Sequence, residues 1–244
     1  MIRSIFTVMY FALFLIITLP YYLVLLIVKA VSPEAFDKAS LATIKWAFKT
    51  GMVVSGTKVT YIGTENIPED RAVLFVGNHR SIFDAPVTYS QMKAPSGFIS
   101  KKETNSIPLL NLWMKNIGCF FMDRDDIKQS MQIILSSIER IKQGKNIIIF
   151  PEGTRSKVEG EFLPFKAGSF KIAEKSKCDI IPVSICDTGR IFEDHKPFVK
   201  KTHVICEFCA PVSTADLSRE EMKQLPDKVR NTIIEAYNRN KENV

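Results

Sequence analysis

The chain has few cysteines and little regularity of the kinds that settle a function quickly. Five of its 244 residues are cysteine, at 119, 178, 186, 206 and 209. This odd, scattered set makes no disulfide framework and fits a reduced compartment. Cys206 and Cys209 form a C-x-x-C within "THVICEFCAPV", but no second pair exists to complete a zinc site. The run reads as a strand, where positions three apart face opposite ways, so the two thiols are poorly placed to share a metal or a disulfide. All five are read as structural. Internal repeats and low-complexity linkers are missing, and the length suits one large domain plus an appendage. No G-x-S-x-G occurs, which removes the strained nucleophile elbow of a serine hydrolase.

Charge is also missing from one long stretch. Between Arg3 and Lys29 the residues "SIFTVMYFALFLIITLPYYLVLLIV" carry none, and as helix they would reach roughly 37 Å against a hydrocarbon core of about 30 Å. The chain is therefore expected to touch a membrane. A signal peptide would have a shorter apolar region, a more basic start and a small-residue cleavage site. Pro20 divides the stretch, so a kinked span competes with a hairpin or an in-plane anchor. Tyr21 and Tyr22 beside it suit headgroup level. In the next segment, Pro33 to Ser55, Lys38, Lys45 and Lys49 fall within about 40° on a helical wheel, with Leu41, Ile44 and Phe48 beside them. Two readings fit: an interfacial helix, or a surface helix packed on the domain. The lysines that follow a spanning segment would put the bulk of the chain on the cytoplasmic side.

What is abundant is apolar surface and positive charge. Hydrophobic residues make up 46% of the chain and the formal net charge is +7, enough for a packed core and for an anionic partner. The sign alone does not choose among nucleic acid, a phosphorylated small molecule and an acidic membrane. No recognised nucleic-acid module is present, and the apolar N-terminus speaks against that class.

From about residue 56 onward, strands and helices alternate. "VTYI" (59–62), "AVLFV" (72–76), "GFIS" (97–100), "NIIIF" (146–150) and "IIPVSI" (180–185) read as strands. Ile127, Met131, Ile134, Leu135, Ile138 and Ile141 recur at helical spacing and stop at Gly144. A helix from about 168 to 176 and an amphipathic helix after Ser218 complete the series. The pattern is that of an α/β layered domain, which places its polar sites at strand ends.

Polar clusters follow the apolar runs. In "GNHRSIFDAP" (77–86), His79 leaves a strand and Asp84 lies five residues on, at a helix start. A carboxylate there is able to hold one imidazole nitrogen and leave the other as a base. Alone, the pair reads better as an Asp capping a helix beside a surface histidine than as a catalytic pair. Ser81 between them is a poor nucleophile, because packing a whole triad into six residues leaves no room to align it. A dyad suits a substrate that brings its own nucleophile, such as a hydroxyl. Arg124 closes "GCFFMDR" (118–124), and Glu152, Gly153, Thr154 and Arg155 follow "IIIF" directly. That turn offers backbone amides, a hydroxyl and a guanidinium, the donors a phosphate monoester needs. Arg124, Arg155 and Lys101 of "SKKE" are candidates to converge on it.

In order and spacing, "NHRSIFD", "GCFFMDR", "FPEGTRS" and "IIPVSI" resemble the glycerolipid acyltransferases, above all the 1-acylglycerol-3-phosphate acyltransferases. The resemblance covers about residues 57 to 212; Cys119 and Met122 depart from its second block without disturbing a polar role. It implies an α/β fold with a mixed central sheet flanked by helices; with the hydrophobic helical membrane-anchoring segment read from the N-terminal residues, the chain divides into 1–55 and 56–244. It implies transfer of an acyl group from acyl-CoA or acyl-carrier protein, as co-substrate, to the sn-2 hydroxyl of lysophosphatidic acid. His79 would be the base, Asp84 its orienter, and Arg124, Glu152, Gly153, Thr154 and Arg155 the acceptor-binding positions, with the arginines on phosphate. Glu152, itself an anion, is expected to hold an arginine or a glycerol hydroxyl. Neither a metal nor a covalent enzyme intermediate is required. The same blocks also fit glycerol 3-phosphate or another lysophospholipid as acceptor, or a non-catalytic lipid-binding module.

Overall fold

Runs of three to seven residues become strands, and all of them lie side by side. In the computed structural model, which describes all 244 residues, these are β1 (Thr57–Ile62), β2 (Leu74–Gly77), β3 (Ser96–Lys101), β4 (Phe120–Met122), β5 (Asn146–Ile149), β6 (Ile180–Cys186) and β7 (Thr202–Phe208). They form one sheet in the order β1-β7-β6-β2-β5-β3-β4. Only β6 and β7 pair antiparallel. Hence β6, β2, β5, β3 and β4 run one way and β1 and β7 the other, which makes the sheet mixed, as expected. The chain leaves five neighbouring strands at the same sheet edge.

The central strands are apolar on both sides because both sides are covered. Phe75 of β2 and Ile148 of β5 belong to one core, whereas their neighbours Leu74, Val76, Ile147 and Ile149 belong to another. The first core is closed by helices α1 (Ile2–Ile17), α2 (Leu19–Val31), α3 (Pro33–Ser55), α4 (Asp84–Tyr89) and α5 (Leu110–Asn116). The second is closed by α6 (Ile127–Lys142), α7 (Lys171–Ser176) and α8 (Arg219–Asn240). Removing a side chain such as Ile148, which is 1% exposed, would cost about 2–5 kcal/mol.

Local signals account for several boundaries. Asp126 caps α6 by accepting from the Gln129 N–H, and the chain turns away at Gly144. Ser218 and Glu221 form a reciprocal capping box at the start of α8. The expected helix over 168–176 is split: a 3-10 turn, Ala167–Phe170, precedes α7. The short helix α5 gave no sequence signal, and its Trp113 is buried against Phe14 and Tyr22.

The apolar N-terminus folds as two helices, α1 and α2, bent by 48° at Thr18. Pro20 lacks the N–H that would bond back to Ile16, and Thr18 turns its hydroxyl onto the Phe14 carbonyl at 2.6 Å. Both helices lie along α3. Gly51 permits the approach of α1, because a Cβ there would stand 2.5 Å from the Phe11 ring. Tyr10 donates to the Ala47 carbonyl at 2.9 Å, and Ser4 accepts the Val199 N–H at 2.8 Å. Of the two readings of α3, packing on the domain is the one its apolar face follows: Leu41, Ile44 and Phe48 all join the core. Lys45 reaches inward to the Met92 carbonyl at 2.6 Å, and burial lowers its pKa, with Lys49 and Lys93 adding to the effect. Residues 1–55 thus share a core with the α/β layers, and an ion pair from Asp37 to Lys145 at 2.6 Å adds a polar tie.

Candidate active site

The site begins where β2 ends. Asn78 continues the ladder with its side chain: it donates to the Ile185 carbonyl and accepts the Ile185 N–H, both at 2.9 Å. This ties the end of β2 to β6 and turns His79 out of the sheet. Asp84 stands at the first position of α4, yet it does not cap its own helix. Its Oδ2 turns back to accept the N–H groups of Arg80 and Ser81 at 2.7 and 2.8 Å, and it lies 2.7 Å from Nδ1 of His79. The two readings of "GNHRSIFDAP" are thereby separated, since the carboxylate serves the histidine turn. Asp84 is fully buried, while the His79 side chain is 21% exposed. The imidazole lies flat against Phe150, with ring centres 4.4 Å apart and planes 10° apart. Nδ1 is thus committed to Asp84, and Nε2 has no hydrogen bond within the chain.

Ser81 is buried and donates its hydroxyl to Glu193, so it is no free nucleophile. Burial also pushes the thiols of Cys119, Cys186 and Cys209 up to about 12 and raises Cys178 and Cys206. None of the five is a thiolate at neutral pH. No three His, Cys, Asp or Glu side chains are grouped as metal ligands.

The register of β2 beside β5, with Val76 opposite Ile149, brings the Pro151–Arg155 turn next to His79. Glu152 is buried and holds no arginine: Oε1 accepts the His79 N–H at 2.8 Å and Oε2 the Leu163 N–H at 3.1 Å. Burial raises its pKa, and these two N–H groups oppose the shift. Glu152 clamps the histidine turn to the loop that follows β5. Gly153 has φ +75°, and a Cβ on it would stand 2.9 Å from Nζ of Lys166. Thr154 is exposed, and no hydrogen bond within the chain takes its hydroxyl or its N–H.

The basic candidates do not all meet. Arg155 pairs with Glu193 at 2.7 Å. Glu193 also accepts the Ile82 N–H at 3.0 Å, so Arg155 is linked to the histidine turn through one carboxylate. Lys101 ends β3 and pairs with Glu103 at 3.0 Å. Arg124 lies just past β4, exposed and without an ion pair. The sheet order sets β4 three strands from β2, a backbone separation of roughly 14 Å. Lys101 and Arg124 therefore flank the site at the same sheet edge without touching the dyad. Four residues had no assigned role in the sequence: Phe150 behind the imidazole, Lys166 over Gly153, Glu193 beneath Arg155, and Thr188, whose hydroxyl donates to Oδ1 of Asp84. Each arrives through a tertiary contact.

The family described as Acyltransferase matches residues 58–186. A Borreliella burgdorferi protein named 1-acyl-sn-glycerol-3-phosphate acyltransferase is 27% identical over 81% of this chain and 78% of its own. A Mycoplasma genitalium relative, named as a probable enzyme of that kind, is 30% identical over 76% of this chain and 73% of its own. The crystal structure of the 1-acyl-sn-glycerophosphate acyltransferase from Thermotoga maritima superposes with a TM-score of 0.80, at 27% identity, over 96% of this chain and 95% of that one. With the family match spanning more than half the chain and both blocks of the His79 turn and the Glu152 turn inside it, this protein belongs to the acyltransferase family.

Proposed function

We propose that the chain transfers a fatty acyl group from acyl-CoA or acyl-carrier protein to the sn-2 hydroxyl of 1-acylglycerol 3-phosphate, giving phosphatidic acid. The observation that carries this reading is the His79–Asp84 pair, with Nε2 left unbonded, set beside a turn rich in anion donors at the carboxyl edge of the sheet. Asp84 holds Nδ1, which leaves Nε2 to take the proton of the acceptor hydroxyl. The oxygen attacks the thioester carbonyl, a C–O bond forms, and the C–S bond breaks. The departing thiolate, whose conjugate acid has a pKa of about 8.5, recovers the proton from the imidazolium. The nucleophile belongs to the substrate, so no enzyme ester is formed. For the phosphate, the unengaged groups are the hydroxyl and N–H of Thr154, the ammonium of Lys166 and the guanidinium of Arg124; Arg155 and Lys101 would exchange carboxylate partners for it.

The same reading places the protein on a membrane, with its catalytic part on the cytoplasmic side, where a lipid acceptor and a soluble thioester meet. No single helix is long and apolar enough to cross, although α1 and α2 together reach that length and composition. Fifteen of the 25 exposed large hydrophobic side chains fall in residues 1–31. They are 41–82% exposed, and burying the rest of each in an acyl layer is worth about 1 kcal/mol or more, which favours attachment through this face. The test is an assay of purified protein with lysophosphatidic acid, glycerol 3-phosphate and lysophosphatidylcholine against both donor types. Lysophosphatidic acid is expected to be the best acceptor; faster acylation of either alternative would overturn the assignment.

A further inference from the structure

The dyad has a second support that no sequence block supplied. Oδ2 of Asp84 serves three donors, the His79 ring and the N–H groups of Arg80 and Ser81. Oδ1 has one partner, the hydroxyl of Thr188. Both residues are 0% exposed, so water has no access to take over that bond. Thr188 arrives there because β6 lies beside β2 and because Asn78 binds both backbone groups of Ile185. The chain turns immediately after β6, with Asp187 in a left-handed conformation at φ +66°. That turn presents Thr188 to the carboxylate. Valine has the same shape, so in a fully buried position the hydroxyl is the group that distinguishes threonine, and its only acceptor is Asp84.

We propose that Thr188 is a positioning residue for the reaction: by holding Oδ1 it stops the Asp84 carboxylate from turning and keeps Oδ2 on Nδ1 of His79. It touches neither substrate. The inference rests on the reading of His79 as the base, and it adds a requirement on the third residue of that chain. Without the hydroxyl, Oδ1 becomes a buried anion oxygen lacking a donor, and the carboxylate relieves this by rotating toward other N–H groups. The imidazole then loses its fixed orientation, while the phosphate-binding groups keep theirs.

The test compares Thr188→Val and Thr188→Ser with His79→Ala in purified full-length protein, with lysophosphatidic acid as acceptor and acyl-CoA or acyl-carrier protein as donor, below the melting temperature of every variant. Thr188→Val is expected to lower kcat by roughly tenfold or more, the equivalent of one lost hydrogen bond to a charged group, with KM for acceptor and donor unchanged. Thr188→Ser, which keeps the donor, should restore most of kcat. If the valine protein does not accumulate, Thr188→Cys, close in size and a weak donor, replaces it and should have a kcat below that of Thr188→Ser; a kcat equal to the parent's would overturn the proposal. A valine variant with unchanged kcat would overturn the proposal, as would one that raises the acceptor KM alone. If His79→Ala remains fully active, the base assignment itself fails; if it is inactive while Thr188→Val is normal, only the role of Thr188 fails.

Discussion

Replacing Glu152 by glutamine separates a clamp from a ligand. Both carboxylate oxygens are buried and each accepts one backbone N–H, from His79 at 2.8 Å and from Leu163 at 3.1 Å. Glutamine keeps one acceptor and turns an NH2 group toward the other N–H. A hydrogen bond to a charged group is worth about 1.5–3 kcal/mol, and relief from burying a charge offsets part of one such loss. The net cost is then on the order of 2 kcal/mol, which in a chain of this length lowers Tm by about 4–8 °C. Because one of the two N–H groups belongs to His79, the imidazole shifts with its backbone, and kcat falls by about tenfold to a hundredfold while the acceptor KM changes little. The stability curve gives an independent check. Burial raises the Glu152 pKa above its ordinary 4.5, so the folded chain keeps this proton to higher pH than the unfolded one. Its contribution is fully present below the ordinary value and is lost as pH rises through the raised one. Glutamine does not titrate, and the variant should lack that slope. Thermal melts across pH and steady-state kinetics with varied acceptor are the measurements. A protein with normal Tm and kcat but a much weaker acceptor KM would refute the clamp and restore the acceptor contact expected from the sequence.

Two further substitutions probe the phosphate side. Arg124→Ala removes an exposed cation without an ion pair, so Tm should stay near that of the parent while KM for the anionic acceptor rises by about tenfold, less at high salt; an unchanged KM would remove Arg124 from the site. Gly153→Ala forces a Cβ into a left-handed conformation at φ +75° and toward Nζ of Lys166 at 2.9 Å. The conformation alone costs about 1–2 kcal/mol, so both a lower Tm and a weaker acceptor KM are expected, read by melting and by kinetics.

Much of the fold was legible because its strongest signals are local. The runs at 72–76, 146–150 and 180–185 read as strands and the spacing from Ile127 to Ile141 as a helix, and the structure has a strand at each run, covered on both faces, and the helix. The candidate residues lay at strand ends for the same reason, and β2 beside β5 brings His79 and Glu152 within a hydrogen bond. What was not legible depends on sheet order. Nothing in the run 180–185 says that β6 lies beside β2, and without that neighbour Thr188 has no connection to Asp84. Glu193 is equally remote, reaching Ser81 and Arg155 from a turn more than 100 residues beyond the first. The clamp made by Glu152 was not legible either, because its partners are the backbone N–H groups of His79 and Leu163, which no sequence pattern displays. At the N-terminus, Pro20 marked the break, but the packing of α1 along α3 follows from Phe11 at Gly51 and Phe14 at Trp46, with Trp113 of α5 against Phe14 and Tyr22, not from hydropathy.

Exchange of His79 for alanine bears most directly on the proposed chemistry. Without the imidazole, Oδ2 of Asp84 still accepts the N–H groups of Arg80 and Ser81, so the turn and the acceptor site should stay in place. With purified protein, lysophosphatidic acid and a thioester donor, kcat should drop by about a hundredfold to ten-thousandfold, the range for loss of a general base, with lipid binding retained. A variant that keeps its turnover within a few-fold of the parent would contradict His79 as the base and, with it, the dyad on which the mechanism stands.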